Sequence, residues 1–152
     1  MQTRKKFFLA LQIISALGML VSAYLVYKKF APLGESFCDI NDRINCDIVN
    51  GSKYAKIFDI PVAVLGLLSY TYFFIIALDL FKHPKLYMFI IPLSTLAAGF
   101  GLLFSLYLTY IEFYILQALC ILCLMSQVLI LLIFILFLTL WIKERKSLPQ
   151  PL

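Results

Sequence analysis

The chain has 152 residues, of which 63% are hydrophobic and 14% charged, with a mean hydropathy of +0.97; a soluble domain carries roughly 45–50% apolar and about 25% charged residues. That excludes a water-soluble globule, and disorder, collagen and coiled coil with it. The net charge of +5 would suit a nucleic-acid binder, but the basic residues gather at the ends of apolar runs, so no nucleic-acid partner is expected.

Residues 7–27, 60–78, 86–111 and 113–142 carry no charged side chain. Each run has 19 or more residues, and crossing about 30 Å of hydrocarbon takes roughly 20 at about 1.5 Å per residue. The expectation is an all-α polytopic membrane protein: one domain over residues 1–152, a bundle of four transmembrane helices over about residues 7–27, 60–80, 86–110 and 119–141, with a long outer loop at 28–59 between the first two. Membrane lipid is its solvent. A cleaved signal peptide is the competing reading of the N-terminus, but the run from Phe7 to Tyr27 exceeds the 7–15 residues of a signal core.

Arg4, Lys5 and Lys6 precede span one, Lys82 and Lys85 separate spans two and three, and Lys143, Arg145 and Lys146 follow span four. If the spans alternate, these lie on one side, which the positive-inside rule makes the cytoplasm. Both termini are then cytoplasmic, in a membrane expected to be the prokaryotic cell (inner) membrane. In the loop, Ile40, Ile44 and Ile48 recur every fourth residue, the pattern of a short amphipathic helix on the bundle's outer surface. Asp59 is placed to cap span two, with Pro61 in its first turn. Pro92 is expected to kink span three, and Trp141 to anchor span four at the interface. The lone histidine, His83, reads as a solvated loop residue.

The chain's four cysteines are Cys38 and Cys46 in the outer loop and Cys120 and Cys123 at the start of span four. This topology puts all of them on the outer side, where disulfides persist. Cys120-Ile121-Leu122-Cys123 sets two thiols one turn apart at a helix N-terminus, which favours a thiolate and a disulfide that opens and closes readily. Eight residues of straight helix would hold Cys38 and Cys46 about 12 Å apart, too far to bond, so the segment must bend if they pair. Rival readings are a static disulfide stapling the loop of a non-enzymatic scaffold or transporter subunit, and a tetrathiolate zinc site, whose usual spacing the loop pair does not match. No metal is expected.

These residues resemble the vitamin K epoxide reductase family of four-helix membrane oxidoreductases. The resemblance covers roughly Cys38 to Ser126: the loop cysteines, Ser52 six residues after Cys46, Ile60-Pro61-Val62-Ala63-Val64-Leu65-Gly66, and Tyr110-Ile111-Glu112 leading into the CxxC. It implies a quinone (ubiquinone, menaquinone or related) held near the outer face beside Cys123. Electrons would run from a soluble thioredoxin-like partner through Cys38 and Cys46 to Cys120 and Cys123. By the same resemblance Ser52, Tyr70 and Leu116 line the quinone pocket.

Vertebrate members hydrogen-bond their naphthoquinone through an asparagine and a tyrosine where this chain has Val62 and Gln127, which favours the bacterial and archaeal disulfide-forming branch over epoxide reduction. A fused thioredoxin-like domain, common in bacterial members, is not seen after span four, so the partner is expected to act in trans. Glu112, an acid between long apolar runs, is a candidate for proton handling, although its place at a helix end also suits a plain interfacial residue.

Overall fold

The computed structural model describes residues 2–30, 38–41, 43–82 and 87–147; the turn around His83 lies outside them. Five α-helices dominate: α1 (Gln2–Phe30), the short α2 (Cys46–Gly51), α3 (Val62–Lys82), α4 (Tyr87–Ile111) and α5 (Ile121–Ser147). Among the described residues, three stretches are long and apolar enough to cross a membrane, Lys5–Phe30, Phe89–Leu116 and Ile121–Lys143, and α3 carries a shorter apolar one, Val62–Leu78. A helix bonds all its own backbone groups, which is what permits such sequences to exist in hydrocarbon.

Helix α1 packs chiefly on α3 and α5, and α5 also packs on α4. Small residues set the α1–α3 spacing. Gly18 lies under the ring of Tyr70, so close that a Cβ there would overlap the ring, and Gly66 faces Ser22. The Tyr70 hydroxyl donates to the Ser126 carbonyl on α5 at 2.7 Å and lies 2.9 Å from the Ser126 hydroxyl. One turn along, Phe73 meets Phe137 with ring centroids 5.7 Å apart. The larger apolar cluster gathers here, around Leu11, Tyr70, Phe73, Ile133 and Phe137. Helix α4 runs through Pro92 unbroken.

Two expectations about the loop are corrected. No amphipathic helix joins Cys38 to Cys46. The Asn41 side chain accepts from the N–H groups of Arg43 and Ile44 at 3.0 and 2.9 Å, and Ile40 N–H donates to the Ile44 carbonyl at 3.0 Å. This turn folds the chain back before Asn45 caps α2 by accepting from Ile48 N–H at 2.9 Å. Asparagine satisfies backbone donors locally and so competes with helix formation. The isoleucine spacing reflected three separate environments, with Ile40 and Ile48 exposed.

Nor does Asp59 cap span two. A 3₁₀ turn at Lys53–Ala55 leads into a two-stranded antiparallel hairpin, β1 (Lys56–Ile57) and β2 (Ile60–Pro61), paired Lys56 to Pro61 and Ile57 to Ile60. Its two-residue loop, Phe58-Asp59, has φ of 48° and 63°, the doubly positive backbone that matches strand twist in tight hairpins. Pro61 closes the hairpin, and α3 starts at Val62.

Candidate thiol–disulfide site

Both cysteine pairs are disulfides. Cys38 and Cys46 have Cα atoms 5.7 Å apart, and Cys120 and Cys123 5.1 Å apart, each within the 4.4–6.8 Å span a disulfide bridges. The Asn41 turn brings the outer pair together. The inner pair is fixed by the opening of α5: Leu124 N–H makes the first helical bond, to the Cys120 carbonyl at 3.0 Å. Cys120 thus stands at the N-cap, and its Sγ accepts from Cys123 N–H at 3.1 Å, filling the role a serine oxygen takes in an ordinary cap.

A short backbone ladder holds the pairs side by side. Ile44 and Leu119 form a parallel bridge, with Leu119 N–H donating to the Arg43 carbonyl at 2.7 Å and Asn45 N–H to the Leu119 carbonyl at 3.1 Å. Bridged strands lie about 4.8 Å apart. One residue past Leu119 is Cys120, and two past Ile44 is Cys46. Cys38, Cys46 and Cys120 join Leu25, Val49, Ala118 and Leu122 in one apolar cluster, against which Leu116 and Cys123 pack.

The ladder is moored to α1. The Asn50 side chain donates to the Leu25 carbonyl at 2.9 Å, the Lys29 ammonium donates to the Asn50 carbonyl, and Lys28 and Asp47 approach to 3.9 Å. Cys38, Cys46 and Cys120 are 2%, 3% and 0% exposed; only Cys123 is partly open. A soluble reagent therefore reaches the outer pair only when the 38–46 turn lifts.

Glu112, at the end of α4, is buried within the protein, 3% exposed. After α4 the chain widens into a π-helical turn, Glu112–Leu116, closed by Gln117 in the left-handed region at φ 51°. π turns leave the regular ladder and recur at functional sites. This one aims the Glu112 carboxylate at the N-terminus of α5, where it accepts from Cys120 N–H at 3.1 Å.

Ser52 closes α2 through its backbone N–H, bonded to the Val49 carbonyl at 3.2 Å. Its hydroxyl caps nothing: Oγ is buried with no hydrogen-bond partner among the described residues. Tyr70 stands apart from the cysteines in the larger cluster, with its hydroxyl on Ser126, one turn along α5 from Cys123. Gln127 on α5 accepts from the Thr109 hydroxyl of α4.

Asn45, Asn50, Lys29 and Leu119 escaped the sequence reading. Asn45 was open to detection, as an asparagine at an N-cap followed by an acid, Asp47, in the first turn. The other three act through backbone groups that the fold alone brings into reach. Compared with known proteins, the chain matches the family model described as the Vitamin K epoxide reductase family over residues 9–138.

Proposed function

This chain belongs to the vitamin K epoxide reductase family, a membrane oxidoreductase family, and on that footing we propose a quinone-dependent thiol/disulfide oxidoreductase of its bacterial and archaeal disulfide-forming branch. The enzyme reoxidises a soluble thioredoxin-like protein acting in trans. Apolar α3 supplies the fourth span: its 21 residues reach about 31 Å. Both termini face the cytoplasm of a prokaryotic cell, and all four cysteines face outward, in keeping with the basic residues that flank the spans.

The observation that carries this reading is the backbone ladder joining Ile44 to Leu119, which sets two disulfides in one apolar cluster. Once the partner has reduced Cys38–Cys46, a loop thiolate attacks Cys120 Sγ. The Cys120–Cys123 bond breaks, and its electron pair leaves on Cys123. The second loop sulfur then attacks the first, re-forming Cys38–Cys46 and releasing Cys120, which takes up that sulfur's proton. Two electrons have passed inward and no atom is lost.

When bound, a quinone would supply the two-electron sink that lets the Cys120–Cys123 bond re-form, with one proton coming from Cys120 and the second from the aqueous medium. The residues present fit such a group: Cys123 is the least covered sulfur, Leu116 packs on the same apolar cluster as Cys123, and the unpartnered Ser52 hydroxyl offers a donor for a carbonyl oxygen. In this reading Tyr70, whose hydroxyl binds Ser126 one turn along α5 from Cys123, closes the inner end of the quinone site. Each 30 mV between the couples is worth about 1.4 kcal/mol, so a high-potential quinone pool drives the flow one way.

The pairing of the cysteines speaks against a tetrathiolate zinc site, which needs four free thiolates. A scaffold with a stapled loop predicts that Cys120 and Cys123 are dispensable. The test is quinone-dependent oxidation of a reduced thioredoxin-like protein by the purified enzyme, with thiol trapping and mass spectrometry to read the pairing. Cys120→Ser and Cys123→Ser each abolish turnover; full activity in both refutes the proposal.

A further inference from the structure

The hairpin that leads into α3 ends in a residue that its backbone and its surroundings both disfavour. Phe58 holds φ at 48°, where a bulky side chain is an outlier and where tight hairpins usually place Asn, Asp or Gly. It is 97% exposed, so no contact within the chain offsets that conformation. Nearby, Ile60 is also exposed, and so are Lys53 and Lys56 on the approach to the turn. We propose that this tip is a membrane-inserted anchor: Phe58 and Ile60 enter the headgroup–acyl boundary of the leaflet at the cysteine-bearing end of the bundle, and there they hold the hairpin and the outer end of α3.

Three features of the chain name lipid as the occupant. The first is reach: α3 starts at Val62, and the short stretch of chain back to Phe58 keeps the tip within about 14 Å of that start. The second is length. The apolar stretch of α3, Val62–Leu78, covers about 26 Å at about 1.5 Å per residue, short of the roughly 30 Å of hydrocarbon. Apolar groups placed just before Val62 make up the difference at this end. The third is what α3 lacks. At the same end α1 carries exposed Tyr27 and Phe30, and α4 and the π turn carry exposed Tyr110 and Tyr114, the aromatic belt of a membrane–water interface. Helix α3 opens Val62-Ala63-Val64, and its first aromatic residue, Tyr70, is buried. The hairpin tip fills that gap.

Charge agrees with an interfacial seat. Lys53 and Lys56 can lay their stems along apolar surface and reach headgroup phosphates with their ammonium groups. The Lys53 ammonium lies over the Tyr54 ring, 5.2 Å from its centroid, and the Lys56 charge is felt by Lys29 near the end of α1. Asp59, the exposed acid of the tip, is outnumbered by these cations. A tip that docked a protein would need the exposed phenylalanine too, but has no reason to stand where α3 runs short of apolar length. The anchor serves the outer loop whatever chemistry the cysteines perform.

Trp141 is the chain's only tryptophan, so Trp141→Phe combined with Phe58→Trp leaves one indole, at the tip. The full chain is reconstituted in nanodiscs of phosphatidylcholine brominated either near the headgroup or near the chain ends, and its emission is also titrated with acrylamide from the water. An interfacial residue lies about 5–10 Å into the boundary, so shallow bromines quench about twofold more than deep ones, and acrylamide quenches far less than it does free tryptophan. Full acrylamide quenching without bromine quenching, the pattern of a tip left in water for a protein partner, overturns the proposal. Phe58→Gly gives a second measurement that needs no inserted tryptophan. Glycine adopts positive φ without strain, so a purely structural tip becomes more rigid, whereas loss of an anchor speeds amide exchange across residues 53–61 several-fold in nanodiscs. Unchanged or slower exchange overturns the proposal. Neither measurement involves thiols, quinone or a partner protein, so their outcome is distinct from that of the relay, which is read by turnover of the wild-type enzyme.

Discussion

Replacing Gly18 by alanine adds one methyl group where the structure has no room for it. The Cβ would overlap three ring atoms of Tyr70, and the ring cannot swing aside freely: it is 3% exposed and its hydroxyl is held by Ser126. Forcing a methylene into a packed core costs about 1–3 kcal/mol. If the ring yields, the bond to Ser126 goes as well, worth roughly 0.6–1.7 kcal/mol within a membrane. The sum is about 2–5 kcal/mol, or roughly a 30- to 4,000-fold change in the unfolding equilibrium. Reversible unfolding in mixed micelles by titration with a denaturing detergent measures it. Gly51→Ala is the matched control, since a Cβ there meets nothing within 4 Å; it is neutral or mildly stabilising. Adding Tyr70→Leu to Gly18→Ala recovers part of the loss, giving a favourable coupling between the two positions. Should Gly18→Ala prove as stable as Gly51→Ala, the small residues of α1 would be mere membrane-helix composition and the close approach of α1 to α3 would set nothing.

Removal of the cap in Asn45→Ala costs about 1 kcal/mol and loosens the start of α2, so dithiothreitol reduces Cys38–Cys46 several-fold faster; an unchanged rate would mean that the cap does not control opening of the outer pair. Asn50→Leu, which deletes the bond to the Leu25 carbonyl, costs about 0.5–1.5 kcal/mol and speeds amide exchange across residues 46–52 while leaving α4 unaffected. Ser52→Ala splits two readings by sign. Its hydroxyl is unpartnered, so the alanine form is as stable as wild type or more so without quinone, yet the KM for quinone rises about 3- to 10-fold; an unchanged KM removes Ser52 from the pocket.

The sequence by itself determined the solvent, the cysteines and the family. Charge-free runs long enough to cross a bilayer leave the backbone little choice but helix, and the order Cys38, Cys46, Ser52, Cys120, Cys123 is a pattern that survives without coordinates. It misjudged the loop because periodicity assumes continuous helix: the Ile40, Ile44, Ile48 spacing was outweighed by one asparagine turn at Asn41, and the Asp59-Pro61 signal by a hairpin whose register depends on its neighbours.

What only the tertiary structure decided is which distant groups meet. Nothing local in Leu119 announces that its amide and carbonyl will bind the loop, and nothing in Glu112 beyond its charge says that a π turn will carry it under Cys120. Periodicity describes how one segment faces its surroundings. The bonds that set one sulfur pair beside another belong to backbone groups common to every residue, which become specific only when the fold leaves them unpaired and near each other.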